Sequence, residues 1–216
     1  MMLRFTFRQV VHTFALFAIT LCACRLIKTG TMAYVFLVWN LFLAFVPWWV
    51  SSYISKQNRI SGKCIVLLLT WLLFLPNAPY LLTDLFHLRQ RPGIPQWFDL
   101  ALILSFASTG LLVFYRSLDQ VLGFLMNFIS RRKLLWFSYS VFFLIAFGVY
   151  LGRFIRLNSW DVIHPFSMMR ACSRLFLNAH VAMDAAAFTI VFASLLLFLF
   201  LVVDRRLHER PLDDKT

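Results

Sequence analysis

Between Val181 and Val203 the chain carries a single charged residue, Asp184. At roughly 1.5 Å per residue, a helix over this stretch crosses the roughly 30 Å hydrocarbon core of a bilayer. Comparable apolar runs precede it at about 9–27, 32–53, 64–82, 98–119 and 134–152. One water-soluble core cannot hide them all. Of 216 residues, 61% are hydrophobic and 14% charged, against about 45–50% and about 25% in soluble domains. The expected fold is all-α: a polytopic transmembrane bundle of six spans, one membrane domain over 1–216, with 204–216 a polar cytoplasmic tail.

The first run admits a second reading. Its short basic start, and Leu21-Cys22-Ala23-Cys24 at its end, have the outline of a signal peptide with a lipoprotein-type cleavage site. We read it as an uncleaved span because more spans follow, and either reading leaves the next loop on the same side. The net charge of +12 sits in short segments between apolar runs. Topology and anionic head groups account for it. Nucleic-acid binding is excluded because no basic face accompanies a soluble fold. Six spans put twelve Lys and Arg on the side of the termini and eight on the other, with Arg116 inside a span. This bias predicts both termini in the cytoplasm.

The third run is interrupted by Pro76-Asn77-Ala78-Pro79 where a helix still has to be inside the membrane. Each proline lacks an amide hydrogen and clashes with the carbonyl four residues back, so Leu72 and Leu75 are expected to lose their donors. Lipid tolerates such carbonyls only where protein or a water-lined cavity satisfies them. Asn77 carries donors that can serve locally. The expectation is a kinked third helix, followed by Asp84 and His87 three residues apart.

Elsewhere, Asn40 lies deep in the second span and is read as an interhelical hydrogen bond. Ala101, Ser105, Ser108, Thr109 and Gly110 form a small-residue packing stripe in the fourth span. Arg116 and Asp119 are spaced to pair, and Arg153 and Arg156 to share a helix face. Residues 165–178 alternate Phe166, Met169, Cys172 and Phe176 with Arg170 and Arg174, a pattern for an interfacial amphipathic helix before the last span. Cys22, Cys24, Cys64 and Cys172 lack zinc-ligand spacing and read as apolar fillers, with a Cys24–Cys172 disulfide left open. The two halves show no repeat.

On this topology one polar cluster gathers at the outer face: Asn77, Asp84, His87, Asp99, Arg153, Arg156, Asn158 and Asp161, with His164, His180 and Asp184 at the same level. The stretches Leu75-Pro76-Asn77-Ala78-Pro79-Tyr80, Thr83-Asp84, His87-Leu88, Trp97 with Asp99, and Tyr150-Leu151-Gly152-Arg153-Phe154 with Arg156, Asn158, Ser159, Trp160 and Asp161 resemble a family signature. The family is a bacterial integral membrane one catalogued as domain of unknown function 1361. The resemblance runs from about Asn40 to the sixth span and implies a multi-pass protein of the bacterial inner membrane. It brings no agreed activity, and His180, Asp184 and the cysteines fall outside its pattern.

Three readings of the cluster stay open. The guanidinium pair beside a broken helix suits binding or transport of a small anionic solute or anionic lipid head group. Asp84 and His87, joined by Asp99 or Asp161, are candidates for a divalent metal or for acid and base, although no His-Glu-x-x-His or Gly-x-Ser-x-Gly motif is present. Alternatively, Asp84 or Asp161 pairs with Arg153 or Arg156 in a network that tethers helix ends or forms an accessory subunit's docking surface. The expected partners are the bilayer and a second copy of the chain, and no cofactor is assigned.

Overall fold

The structure is a computed structural model that describes residues 6–164, 166, 168–169, 173 and 177–203. Among the described residues, seven α-helices carry the fold: α1 (Phe7–Thr29), α2 (Phe36–Ile54), α3 (Gly62–Phe74), α4 (Asn77–Thr83), α5 (Gln96–Leu125), α6 (Arg131–Tyr150) and α7 (Ala179–Val203). No strand occurs among the described residues. Short 3-10 turns cover Asp84–His87 and Ser159–Ile163, and one π-turn covers Leu151–Ile155. Six helical segments are long and apolar enough to cross a membrane, at 7–29, 36–54, 62–87, 96–125, 131–155 and 179–202. They match the six apolar runs, and the chain is a multi-pass membrane protein. The fourth, at 30 residues, starts two residues before and ends six residues after the expected 98–119. Most of the expected interfacial helix over 165–178 lies outside the described residues, with Cys172, and so does the tail at 204–216.

Local chemistry sets the ends of these helices. Thr6 and Gln9 form a reciprocal capping box at the start of α1, and Gly30 closes it in the left-handed region at φ 64°, where a side chain is disfavoured. The Ser61 hydroxyl accepts from Cys64 N at the start of α3. Asn178 Oδ1 accepts from the amides of His180 and Val181 at the start of α7. Each cap satisfies amides the helix leaves open.

Helix α5 is the spine, packed against α1, α2 and α4, while α7 packs along α6. Below the motif-bearing end, polar side chains stitch the spans together. Ser117 donates to the Pro47 carbonyl at 2.9 Å and accepts from Trp71 Nε1 at 2.8 Å, joining α2, α3 and α5. Ser51 Oγ donates to Gln120 Oε1 at 2.7 Å. Tyr115 on α5 donates to the Leu196 carbonyl on α7 at 2.9 Å. Arg116 and Asp119 pair at 2.8 Å as their spacing predicts. The small-residue stripe is only partly a packing seam: Ser105, Thr109 and Gly110 are buried, but Ala101 and Ser108 are exposed, and Ala107 is buried instead.

The kink between α3 and α4 resolves its carbonyls differently from expectation. Ala78 N bonds Leu75 O at 3.2 Å, three residues back instead of four. Leu75 therefore keeps a donor, while Leu73 O and Phe74 O, with Leu72 O opposite Pro76, are left without helical amides. Asn77 Nδ2 donates to Phe74 O at 2.8 Å, and Ser159 Oγ donates to Leu73 O at 3.0 Å. Two glycines let neighbours close on the kink. A Cβ at Gly148 of α6 would lie 2.7 Å from Pro76 Cγ, and one at Gly110 of α5 would lie 2.6 Å from Ala78 O.

Candidate functional site

The end of the bundle that carries the kink has two ion pairs, one buried on both sides and one with a buried carboxylate. Asp84, 1% exposed, accepts from Arg153 Nη1 at 3.3 Å and from Asn40 Nδ2 at 3.1 Å. The same Arg153 nitrogen lies 3.0 Å from His87 Nε2. A guanidinium only donates, so Nε2 accepts and the imidazole proton sits on Nδ1. Arg153 also lies over the rings of Tyr80 and Phe86, at 6.0 and 5.5 Å. The π-turn at Leu151–Ile155 carries Arg153, and Arg156 ends it in the left-handed region at φ 65°.

That ending separates the expected arginine pair. Arg153 turns into the protein, whereas Arg156 is exposed and has no hydrogen-bond or ion-pair partner among the described residues. Regular helical spacing would have put both on one face; the widened turn and the left-handed residue remove that spacing.

Asp99 does not join Asp84. It makes a bidentate pair with Arg25 of α1, Nε to Oδ1 at 2.7 Å and Nη2 to Oδ2 at 3.3 Å, with both side chains 2% exposed. Arg25 also donates to Thr31 Oγ1 at 3.0 Å. From sequence alone Arg25 reads as one of the charges that close the first span. The signal for its role was its place inside the apolar run, a helical turn before Thr29. Tyr34 connects the two pairs: the guanidinium of Arg25 lies 4.6 Å from its ring centre and its hydroxyl donates to His87 O at 3.2 Å. Burial pushes that hydroxyl above its ordinary pKa.

The second motif contributes differently from expectation. Among the described residues Asp161 binds no arginine; its carboxylate accepts from Asn158 N at 2.7 Å and caps the 3-10 turn at Ser159–Ile163. Ser159 Oγ accepts from Asn77 Nδ2 at 3.0 Å, so the turn is fastened to the kink. His180 and Asp184 are exposed near the start of α7. Cys22, Cys24 and Cys64 are free thiols. Among the described residues, no three His, Cys, Asp or Glu side chains gather as a metal cage.

Between α2, the kink and the end of α6 lies a cavity of about 320 Å³. Asn40, Asn77, Tyr80, Asn158 and Ser159 give it polar groups, and Trp39, Leu43 and Leu73 give it apolar wall. The exposed Val162 stands at its rim. Helices α2 and α6 scarcely touch, and the kinked span is the floor between them. The cavity thus lies where the two long sequence motifs meet, while Asp84, His87 and Arg153 stand outside its wall.

A family model described as "Protein of unknown function (DUF1361)" matches residues 39–200. The matched region begins at Trp39 on the cavity wall and takes in both motifs. Neither a curated protein nor a solved structure matches the chain.

Proposed function

From a chain that belongs to the family described as Protein of unknown function (DUF1361), we propose a membrane-embedded binding protein. Its ligand is a small solute or the head group of a lipid. The cavity between α2, the kink and α6 is the binding site. The carrying observation is that one cavity draws its wall from both long motifs, Pro76-Asn77 with Tyr80 and Gly152 with Asn158 and Ser159. Cavities of about 300–1,000 Å³ with an apolar wall and a few convergent polar groups are the usual form of a small-molecule site.

The charged residues have the supporting role. Asp84–Arg153 and Arg25–Asp99 tie the ends of four spans together, and that saturation favours tethering for them. Asp84 and His87 both engage Arg153, so an acid–base or metal role for them gains no support.

We place the protein in the cytoplasmic membrane of a bacterium with both termini inside and the cavity end outside. The support is the excess of Lys and Arg in the segments on the terminal side.

The test is native mass spectrometry of the full chain extracted with its own lipids. A ligand bound one per chain is expected, and Val162→Trp, which fills the rim from an exposed position, is expected to remove it. Equal retention in the variant contradicts the proposal.

A further inference from the structure

Resting on that binding reading, we infer that the cavity takes a neutral polyhydroxyl group, a sugar or polyol, and rejects an anion. Three of the polar side chains around the cavity have part of their hydrogen-bonding capacity already spent. Asn77 uses both Nδ2 hydrogens, on Phe74 O and on Ser159 Oγ. A backbone carbonyl cannot donate, so the orientation of the amide is fixed. Asn77 therefore offers only Oδ1. The Ser159 hydrogen is spent on Leu73 O. Asn40 gives one Nδ2 hydrogen to Asp84 and keeps Oδ1 and one N–H. Neither carboxamide oxygen has a protein partner among the described residues. The cavity therefore offers open carboxamide oxygens beside donors from Asn40, Asn158 and the Tyr80 hydroxyl, the mixed set that neighbouring hydroxyl groups satisfy.

Among the described residues, no charged side chain lines the cavity. Arg153, the guanidinium of the second motif, is turned to Asp84 and His87. An anion here would lose its water and meet no charged side chain among the described residues, which is strongly unfavourable. A cation would fare no better, because Asp84 is already neutralised by Arg153. Hydroxyl hydrogens match the open Oδ1 atoms. Trp39 and Tyr80 supply aromatic surface for the C–H face of a ring, and Leu43 and Leu73 supply a path for a chain. At about 320 Å³ the space is at the lower end of ligand pockets, which run from about 300 Å³ upward. It therefore admits the head of a lipid and leaves the tails in the bilayer.

The experiment uses the full chain in phosphatidylcholine nanodiscs, with occupancy read by native mass spectrometry. The probes are monoglucosyl diacylglycerol, phosphatidic acid and free glucose. The glucosyl lipid is expected to bind one per chain and to fall about tenfold in occupancy-weighted affinity, about 1.4 kcal/mol, in Val162→Trp and in Trp39→Ala, both at exposed positions. Displacement by free glucose assigns the chemistry to a soluble sugar, and its absence assigns it to the glycolipid; each supports the inference. Phosphatidic acid binding in a Val162→Trp-sensitive way, with the glucosyl lipid absent, overturns the ligand class and leaves the binding site standing. Indifference of every probe to both variants overturns the site, and the inference with it.

Discussion

Asn77 and Ser159, 82 positions apart, meet at 3.0 Å, and each also caps a carbonyl that the proline kink sets free. The contact joins the two long motifs and makes the floor of the cavity. Breaking α3 is therefore not a defect that the membrane tolerates. It exposes two carbonyls that specify where the second motif docks.

Ser159→Ala tests this docking. It removes the cap on Leu73 O and the acceptor for Asn77. A loss of about 1–2 kcal/mol is expected, since interhelical hydrogen bonds in membranes average about 0.6 kcal/mol and reach about 1.7. Hydrogen exchange should rise at 158–163 and not in α1. Unchanged exchange there means the turn is held by something else.

Arg25 and Asp99 should behave as a unit. Arg25→Met or Asp99→Leu alone leaves a buried charge uncompensated and should cost about 3–5 kcal/mol, whereas the double variant should recover most of it. Reversible unfolding in mixed micelles measures the cycle. Additive losses would show that the two charges are stabilised separately.

Arg153→Ala leaves Asp84, 1% exposed, with Asn40 as its remaining partner. Membrane abundance should fall several-fold, because losses of about 1–2 kcal/mol already change abundance on that scale. Normal abundance with lost ligand would move Arg153 from tethering to the binding site.

The glycines separate by contact. Gly148→Ala drives a Cβ to 2.7 Å from Pro76 Cγ and should cost about 1–3 kcal/mol by overpacking. Gly123→Ala meets nothing within 4 Å and should be neutral or stabilising by up to about 1 kcal/mol, since alanine favours helix. Thermal stability of the two variants should diverge in these directions.

Orientation is testable at the same end. In a Cys24→Ser, Cys172→Ser background, Trp160→Cys, an exposed position, should react with a membrane-impermeant thiol reagent on intact cells. Labelling only after permeabilisation would invert the topology.

Six spans and the kink were legible because apolar length and proline chemistry are local properties. The Arg153–Asp84 pair was among the pairings the sequence allowed, since an acid and an arginine at one membrane level have few alternatives. The partner of Asp99 was not legible. Arg25 sits 74 positions away, and only the packing of α1 on α5 brings them together. Regular helix spacing misplaces Arg156, because a π-turn intervenes at Leu151–Ile155. The role of Ser159 was hidden for the same kind of reason: a serine in a loop has no pattern that announces a carbonyl 86 positions back.

The most direct test of the central claim is a density map of the full chain in nanodiscs made with its native lipids. The account predicts non-protein density bounded by Asn40, Asn77, Tyr80 and Ser159, absent in Val162→Trp. A map in which α2 and α6 close over the kink, leaving no space and no density there, would contradict it.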